Sequence, residues 1–186
     1  DFYGWAYDRY KGELLMLGRG ICYVFNCRSN EGRLLKADDA FMDIVPTDGD
    51  VYLVRPASAS KEGNPFLKLV SGKGTAVKEF RYENKMSVYY EVPTADFGSN
   101  EHRLLKQGGS GEALFKDMFN DTIYVLEHDV LHPRYCLETG SKRPNVKDVL
   151  NKKKKAGQIY LSDIATAGDY LLCQYEYAGE PFNQLV

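Results

Sequence analysis

Apolar and polar positions alternate along this chain in short runs, each closed by a polar or glycine-bearing turn. Gly12 to Cys27 holds two such runs, at about 13–17 and 21–27, parted by Gly18 to Gly20. Gly32 opens a third, Arg33 to Lys36. Phe41 to Pro46 follows, then a turn at Thr47-Asp-Gly-Asp50, Val51 to Arg55, Pro65 to Val70 and, after the turn Gly72-Lys-Gly74, Thr75 to Arg81. Further runs fall near 86–92, 114–118, 122–127, 133–137, 159–165 and 169–177. Short strands joined by Asp-Gly and Gly-Lys-Gly turns predict antiparallel meanders. Helix is predicted in one place at most, within 144–156, where Asn145 offers an N-cap, Val146, Val149 and Leu150 fall at i, i+3 and i+4, and Gly157 offers a stop. Lys152 to Lys155 read as its solvated end, favourable to the negative end of the helix dipole. Gly108-Gly-Ser-Gly111 reads as a flexible linker before the Phe115 strand.

One motif returns along the chain. Phe41-x-Asp43-Ile44 is followed by Asp50-Val-Tyr52, Phe115-x-Asp117-Met118 by Asp121-Thr-Ile-Tyr124, and Leu161-x-Asp163-Ile164 by Asp169-Tyr170. From Asp to Tyr the distance is nine residues in the first copy and seven in the other two. Phe2-Tyr-Gly-Trp5, followed by Gly12-Glu-Leu14, reads as a degenerate first copy. A repeat of about 40 residues built from strands predicts a β-propeller, each copy supplying one blade. A β-sandwich is the competing all-β architecture.

Composition narrows the function. The 186 residues carry 24 basic and 26 acidic side chains, a net charge of −2, so no global field favours a nucleic acid. No apolar stretch approaches the 18 or more residues of a spanning helix. The aromatic load of 14 Tyr, 9 Phe and one Trp suits half-buried strands. Four cysteines, Cys22, Cys27, Cys136 and Cys173, form no CxxC pair and read as buried free thiols; Cys22 and Cys27 lie an odd number apart in one strand, on opposite faces. The chain starts at Asp1 without a Met and stops inside an apolar alternation, which reads as a piece of a longer protein.

Candidate chemistry is sparse. Asp43, Asp117 and Asp163 occupy one position of the repeat, just inside its first strand, where a propeller converges on its channel. They are candidates either for a ligand-binding acidic ring or, the stronger reading, for carboxylates that lock adjoining turns. Trp5 joins them as a candidate ligand contact: Tyr3, Trp5, Tyr7 and Tyr10 suggest an aromatic face, suited to core packing, a truncated edge or sugar stacking. Glu127, His128, Asp129 and His132 are the densest potential ligand cluster, but on a strand followed by a loop, i and i+4 lie about 13 Å apart, so no metal site is expected. The sequence has no G-x-S-x-G elbow, P-loop or G-x-G-x-x-G opening a helix, hence no expected catalytic residue or cofactor.

Phe119-Asn-Asp121-Thr-Ile-Tyr124-Val, then Leu131-His-Pro133-Arg-Tyr135-Cys-Leu137-Glu-Thr-Gly140 and Pro144, resembles the signature of the six-bladed β-propeller proteins of unknown function from Gram-negative gut anaerobes, which have relatives among the NHL-type propellers. That family ends the motif with a D-F-G-K element, where this chain has Glu138-Thr-Gly140-Ser-Lys142. The resemblance implies an all-β fold of antiparallel four-stranded blades, a partial six-bladed propeller, exported to the cell envelope as a periplasmic or surface lipoprotein. The expected blades are 1–38, 39–82, 83–143 and 157–186, with a variable insertion at 144–156. The expected function is a non-catalytic binding module for a glycan, peptide or partner protein, the alternative being a propeller-fold hydrolase or lyase with carboxylates at the channel mouth. Three or four blades leave open flanks, so the expected partners are the rest of a propeller or further copies of the chain.

Overall fold

The computed structural model describes residues 2–18, 21–36, 38–57, 65–81, 104–116, 121–144 and 156–186. The chain divides into two compact units, Asp1–Glu91 and Val92–Val186. Every regular element longer than one helical turn among the described residues is a strand, and each of the four sheets is an antiparallel meander in chain order.

The first unit holds two four-stranded sheets. One contains β1 (Phe2–Asp8), β2 (Glu13–Gly18), β3 (Ile21–Asn26) and β4 (Glu31–Leu35). The other contains β5 (Phe41–Pro46), β6 (Val51–Pro56), β7 (Leu67–Ser71) and β8 (Ala76–Phe80). Ala6, Leu15, Leu17, Cys22, Val24 and Leu35 of the first sheet form one core with Phe41, Ile44, Tyr52, Val54 and Val70 of the second. Alternation explains the choice of face: Leu15, Leu17, Cys22 and Val24 point inward, while Trp5, Tyr7 and Ile21 stay exposed.

The second unit holds β9 (Leu104–Gln107), β10 (Ala113–Lys116), β11 (Thr122–Glu127) and β12 (Val130–Cys136) in one sheet. Its other sheet has three strands, β13 (Ile159–Ala167), β14 (Tyr170–Tyr177) and β15 (Glu180–Leu185). Leu114, Ile123 and Val125 of the first pack with Ile164, Leu171 and Cys173 of the second. Two hairpins use two-residue turns with both residues at positive φ: His128 (47°) and Asp129 (61°), then Ala178 (55°) and Gly179 (84°). That conformation matches the strand twist and is easiest for Asn, Asp and Gly.

The fold class is therefore all-β, with four blade-like sheets supplied by this chain. Several finer expectations change. Gly108 to Gly111 form no linker but the tight turn between β9 and β10, closed by Gly108 N–H to Glu112 O at 2.8 Å. A short strand, β9, therefore precedes it, and the Phe115 strand is the second of its sheet. β12 starts at Val130, directly after the turn, so the Glu127–His132 stretch is a tight hairpin. Two of the four thiols are not buried: Cys27 lies in a turn and Cys136 ends an edge strand, both exposed, and all four are free. The strand expected at 86–92 and the helix expected within 144–156 fall on residues outside the described set, apart from Pro144 and Ala156.

Candidate functional site

In three of the four sheets the first strand carries a bulge at the same place. The register shifts between Phe2 and Gly4 in β1, Phe41 and Asp43 in β5, and Leu161 and Asp163 in β13. A bulge inserts one residue and re-aims its neighbours, so it fixes where the following side chain points. The columns that follow correspond: Trp5 opposite Met16, Ile44 opposite Val54, Ile164 opposite Cys173. Gly4, Asp43 and Asp163 thus share one structural position, as the repeat requires for its first, second and last copies.

Both described carboxylates there are held by a cation. Arg55, opposite Asp43 across β5 and β6, donates from Nε to Asp43 Oδ2 at 2.7 Å and pairs through Nη2 with the same oxygen. The Arg55 side chain is almost fully buried. Tyr3, the extra residue of the β1 bulge, donates its hydroxyl to Phe41 O at 2.6 Å. Partial burial, then the nearby Asp43 carboxylate, holds that hydroxyl above the usual tyrosine range. In the second unit Asp163 Oδ1 accepts from the Ile164 N–H at 2.8 Å and lies 3.0 Å from Lys106 Nζ on β9. These contacts tie strand to strand through cationic side chains, with one backbone bond, Ile164 N–H to Asp163, beside them.

The third copy does not join them. Asp117 lies outside the described residues, but the strand leading to it, β10, is second in its sheet, and Tyr124 sits on the third strand, β11. The tyrosine equivalence also fails in the last copy. Three residues before Arg55 stands the fully buried Tyr52; three before Gln174, the residue opposite Asp163, stands the equally buried Leu171. Tyr170 points the other way and is 59% exposed. The spacing difference of nine against seven residues was the visible sign.

Sequence reasoning missed the densest polar cluster. Tyr52 Oη donates to Glu13 Oε2 at 2.9 Å; Arg33 Nη2 donates to Tyr52 Oη at 3.0 Å and to Glu13 Oε1 at 3.3 Å; Arg33 Nη1 donates to Gly72 O at 3.0 Å. Lys11 Nζ stands 4.9 Å from the centre of the Tyr52 ring and 3.4 Å from Asp50 Oδ1. Burial first, and then the bond to Glu13, pushes the Tyr52 hydroxyl well above the ordinary tyrosine value. The cluster joins β2 and β4 to β6 and to the turn after β7. With Tyr52 fully buried, its chemistry is that of a seam between sheets.

Trp5 is 76% exposed and belongs to a different surface, the open side of β1–β4. His128 and Asp129 are turn residues, and among the described residues no three His, Cys, Asp or Glu side chains are grouped to hold a metal. Among them, too, no helix is long and apolar enough to cross a membrane.

No known family profile matches this chain, and no curated protein matches it. Among solved structures it is similar to a candidate exported protein from Bacteroides fragilis, with a TM-score of 0.63 at 11% identity over 99% of this chain and 54% of that one. The chain thus spans about half the length of that protein. Weaker likenesses, with TM-scores of 0.49 and 0.46, connect it to a catalytically inactive virginiamycin B lyase from Staphylococcus aureus with quinupristin and to a streptogramin B lyase, each at 11% identity over 98% of this chain and over 54% and 68% of theirs. At such identities the first likeness shows the fold alone, a propeller-type array of antiparallel sheets, and the weaker two carry no argument.

Proposed function

We propose that this chain is a non-catalytic binding module, part of an exported six-bladed propeller of the cell envelope, lipid-anchored as the family resemblance implies. Its blades are 1–38, 39–82, 83–143 and 157–186, with 144–156 as an insertion. The observation that carries the binding reading is the exposed apolar side of β1–β4: Trp5, Tyr7, Ile21 and Leu34 are 41–76% exposed on one face. Rows of large side chains across four strands favour a protein over a glycan or peptide as the partner, because a sugar ring needs only one or two aromatic platforms. Asp43 and Asp163, at the shared bulge position of first strands, are the polar positions that a ligand at the channel would meet, and Asp117 stays a candidate on its sequence motif alone. The alternative, a hydrolase or lyase, calls for a pair of carboxylates facing one another; each described one is instead paired with a cation.

Trp5 is the chain's single tryptophan, so its emission reports on this face alone. Titration with a panel of envelope oligosaccharides is expected to leave that emission unchanged. A saturable response, matched by saturable heat in calorimetry that Trp5→Ala abolishes, would make the face a glycan platform and overturn the protein-partner reading.

A further inference from the structure

Two turns project side by side from one end of the first sheet, Arg9 to Gly12 between β1 and β2 and Cys27 to Asn30 between β3 and β4. Cys27 N–H donates to Gly12 O at 2.8 Å, and Asn26 Nδ2 to Lys11 O at 3.5 Å. One side chain locks each turn. Asp8 Oδ1 accepts the N–H groups of Tyr10 and Lys11 at 2.9 and 3.0 Å, and Asn26 Oδ1 accepts those of Arg28 and Ser29 at 2.9 and 3.0 Å. Asp and Asn suit this because their short side chains reach amides two and three positions on. These backbone donors are spent on the turns themselves, so a ligand here is met by side chains.

The side chains that remain are cationic. Arg9, Lys11 and Arg28 stand on the two turns against one carboxylate at their base, Asp8, whose side chain is 3% exposed. Lys11 is committed already, with Nζ 3.5 Å from Asp8 Oδ2 and 3.4 Å from Asp50 Oδ1. Arg28 is not: among the described residues it meets no carboxylate, although exposed Glu31 follows three positions later. It leans instead across Gly12, and its Nη2 donates to Arg9 O at 3.4 Å. A Cβ on Gly12, besides straining a backbone at φ 67°, would come within 2.8 Å of Arg28 Nε. Glycine there both allows the left-handed turn and seats the arginine. Arg9 is held as well, its guanidinium 4.8 Å from the centre of the Tyr10 ring and its Nη2 donating to Tyr10 Oη at 2.7 Å. Like charges drawn onto one surface repel, and an anion between them turns that repulsion into attraction.

We propose that Arg9 and Arg28 form a binding site for a phosphate monoester. A guanidinium offers its N–H groups as a planar fork that matches two oxygens of a phosphate. The monoester carries about −1.5 to −2 charges near pH 7, which balances two guanidiniums; a carboxylate supplies about half of that charge and only a pair of oxygens. Preorganisation favours the same ligand. Both side chains are packed before it arrives, so less rotamer freedom is lost on binding. The site lies on turns within the first sheet and draws no residue from the second unit. Trp5 stands on the broad side of that sheet, away from this end.

The test is calorimetry of the 186-residue chain at low ionic strength with glucose 6-phosphate, glucose and glucuronate. Glucose 6-phosphate is expected to give saturable heat with a Kd on the order of 1 mM, glucose none, and glucuronate binding weaker by about fivefold or more. Arg28→Gln and Arg9→Gln should each weaken the sugar phosphate about tenfold. Both are exposed turn residues, so far-ultraviolet circular dichroism and the melting midpoint are expected to stay unchanged. Arg28→Lys keeps the charge and loses the fork, and its affinity should fall about threefold. Absence of saturable heat, glucuronate binding as tightly as the phosphate, or a Kd that neither Gln variant moves overturns the proposal. If Arg28→Gln melts early, the comparison passes to Arg28→Lys, where undiminished binding overturns it. Trp5 emission plays no part in this readout, so failure here leaves the partner-protein reading standing.

Discussion

The two sheet pairs share a backbone plan and differ in what seals them. In the first unit the seam between β1–β4 and β5–β8 is charged and aromatic: Glu13, Arg33 and Tyr52 bond across it, with Lys11 over the Tyr52 ring. In the second unit the Lys106–Asp163 ion pair crosses the seam beside a network of hydroxyl, carboxylate and backbone groups. Thr166 Oγ1 donates to Glu112 Oε1 at 2.8 Å and accepts from the Gly109 N–H at 2.9 Å, and Ser110 Oγ donates to Glu112 Oε2. Burial works to raise the Glu112 pKa, but the bonds from Thr166 and Ser110 outweigh it and hold it below the ordinary value. Gly109 is there because a Cβ would come within 2.4 Å of Thr166 O. The lesson is that column geometry decides which faces meet, while the chemistry of each seam varies freely and sets how the junction responds to mutation and pH.

That contrast is open to attack in order of size. Tyr52→Ala empties a fully buried ring site and strands Glu13 and Arg33; we expect a loss of about 3–5 kcal/mol in the first unit, read by urea titration of Trp5 emission, with amide exchange in β13–β15 unchanged. Equal destabilisation of both units would show that they unfold as one and erase the distinction. Arg55→Met removes the buried partner of Asp43 and is expected to cost about 3 kcal/mol, again confined to the first unit.

Alkaline pH comes next. Burial pushes the Cys22 thiol up to about 12 from an ordinary 9.0, and Tyr52 is raised from 10.0. Groups whose folded value is raised stabilise fully below their unfolded value and lose that contribution as pH climbs through the folded one. The first unit should therefore weaken from about pH 9 upward, by about 2–3 kcal/mol at pH 11 from Cys22 alone, with Tyr52 adding to it above pH 10. Cys22→Val is expected to flatten the onset; an unchanged slope would place the titrating group elsewhere. The second unit has one such raised group described, Cys173, again through burial. The smallest effect is in its seam. Thr166→Val removes both hydroxyl bonds and should cost about 1–2 kcal/mol, with faster exchange at the Gly109 amide as the local readout.

How much of this was legible depends on how local the cause is. Alternation and turn residues gave the strands of the first unit nearly as they stand, since a hairpin's register follows from a few adjacent residues. The motif was legible at Phe2, Phe41 and Leu161 because the bulge is itself local. It failed at Phe115 because Gly108 to Gly111 look flexible in isolation: the turn is pinned by Thr166, 57 residues on. Cys27 and Cys136 were misjudged because thiols say little about burial, whereas their positions at strand ends do. The Glu13–Arg33–Tyr52 seam draws one residue from each of three strands, and no spacing rule connects them. The exposed aromatic face was visible as the Tyr3, Trp5, Tyr7 alternation, but its meaning came only from the equivalent columns buried in the other sheets.

The central claim is that the face bearing Ile44, Tyr52 and Val54 docks on the face of the preceding sheet that bears Ala6, Leu15 and Val24. Its most direct measurement is a double-mutant cycle of Leu15→Ala and Ile44→Ala, read by urea titration of Trp5 emission. The account predicts a coupling of about 1 kcal/mol or more between the two positions. Losses that add without coupling would contradict it.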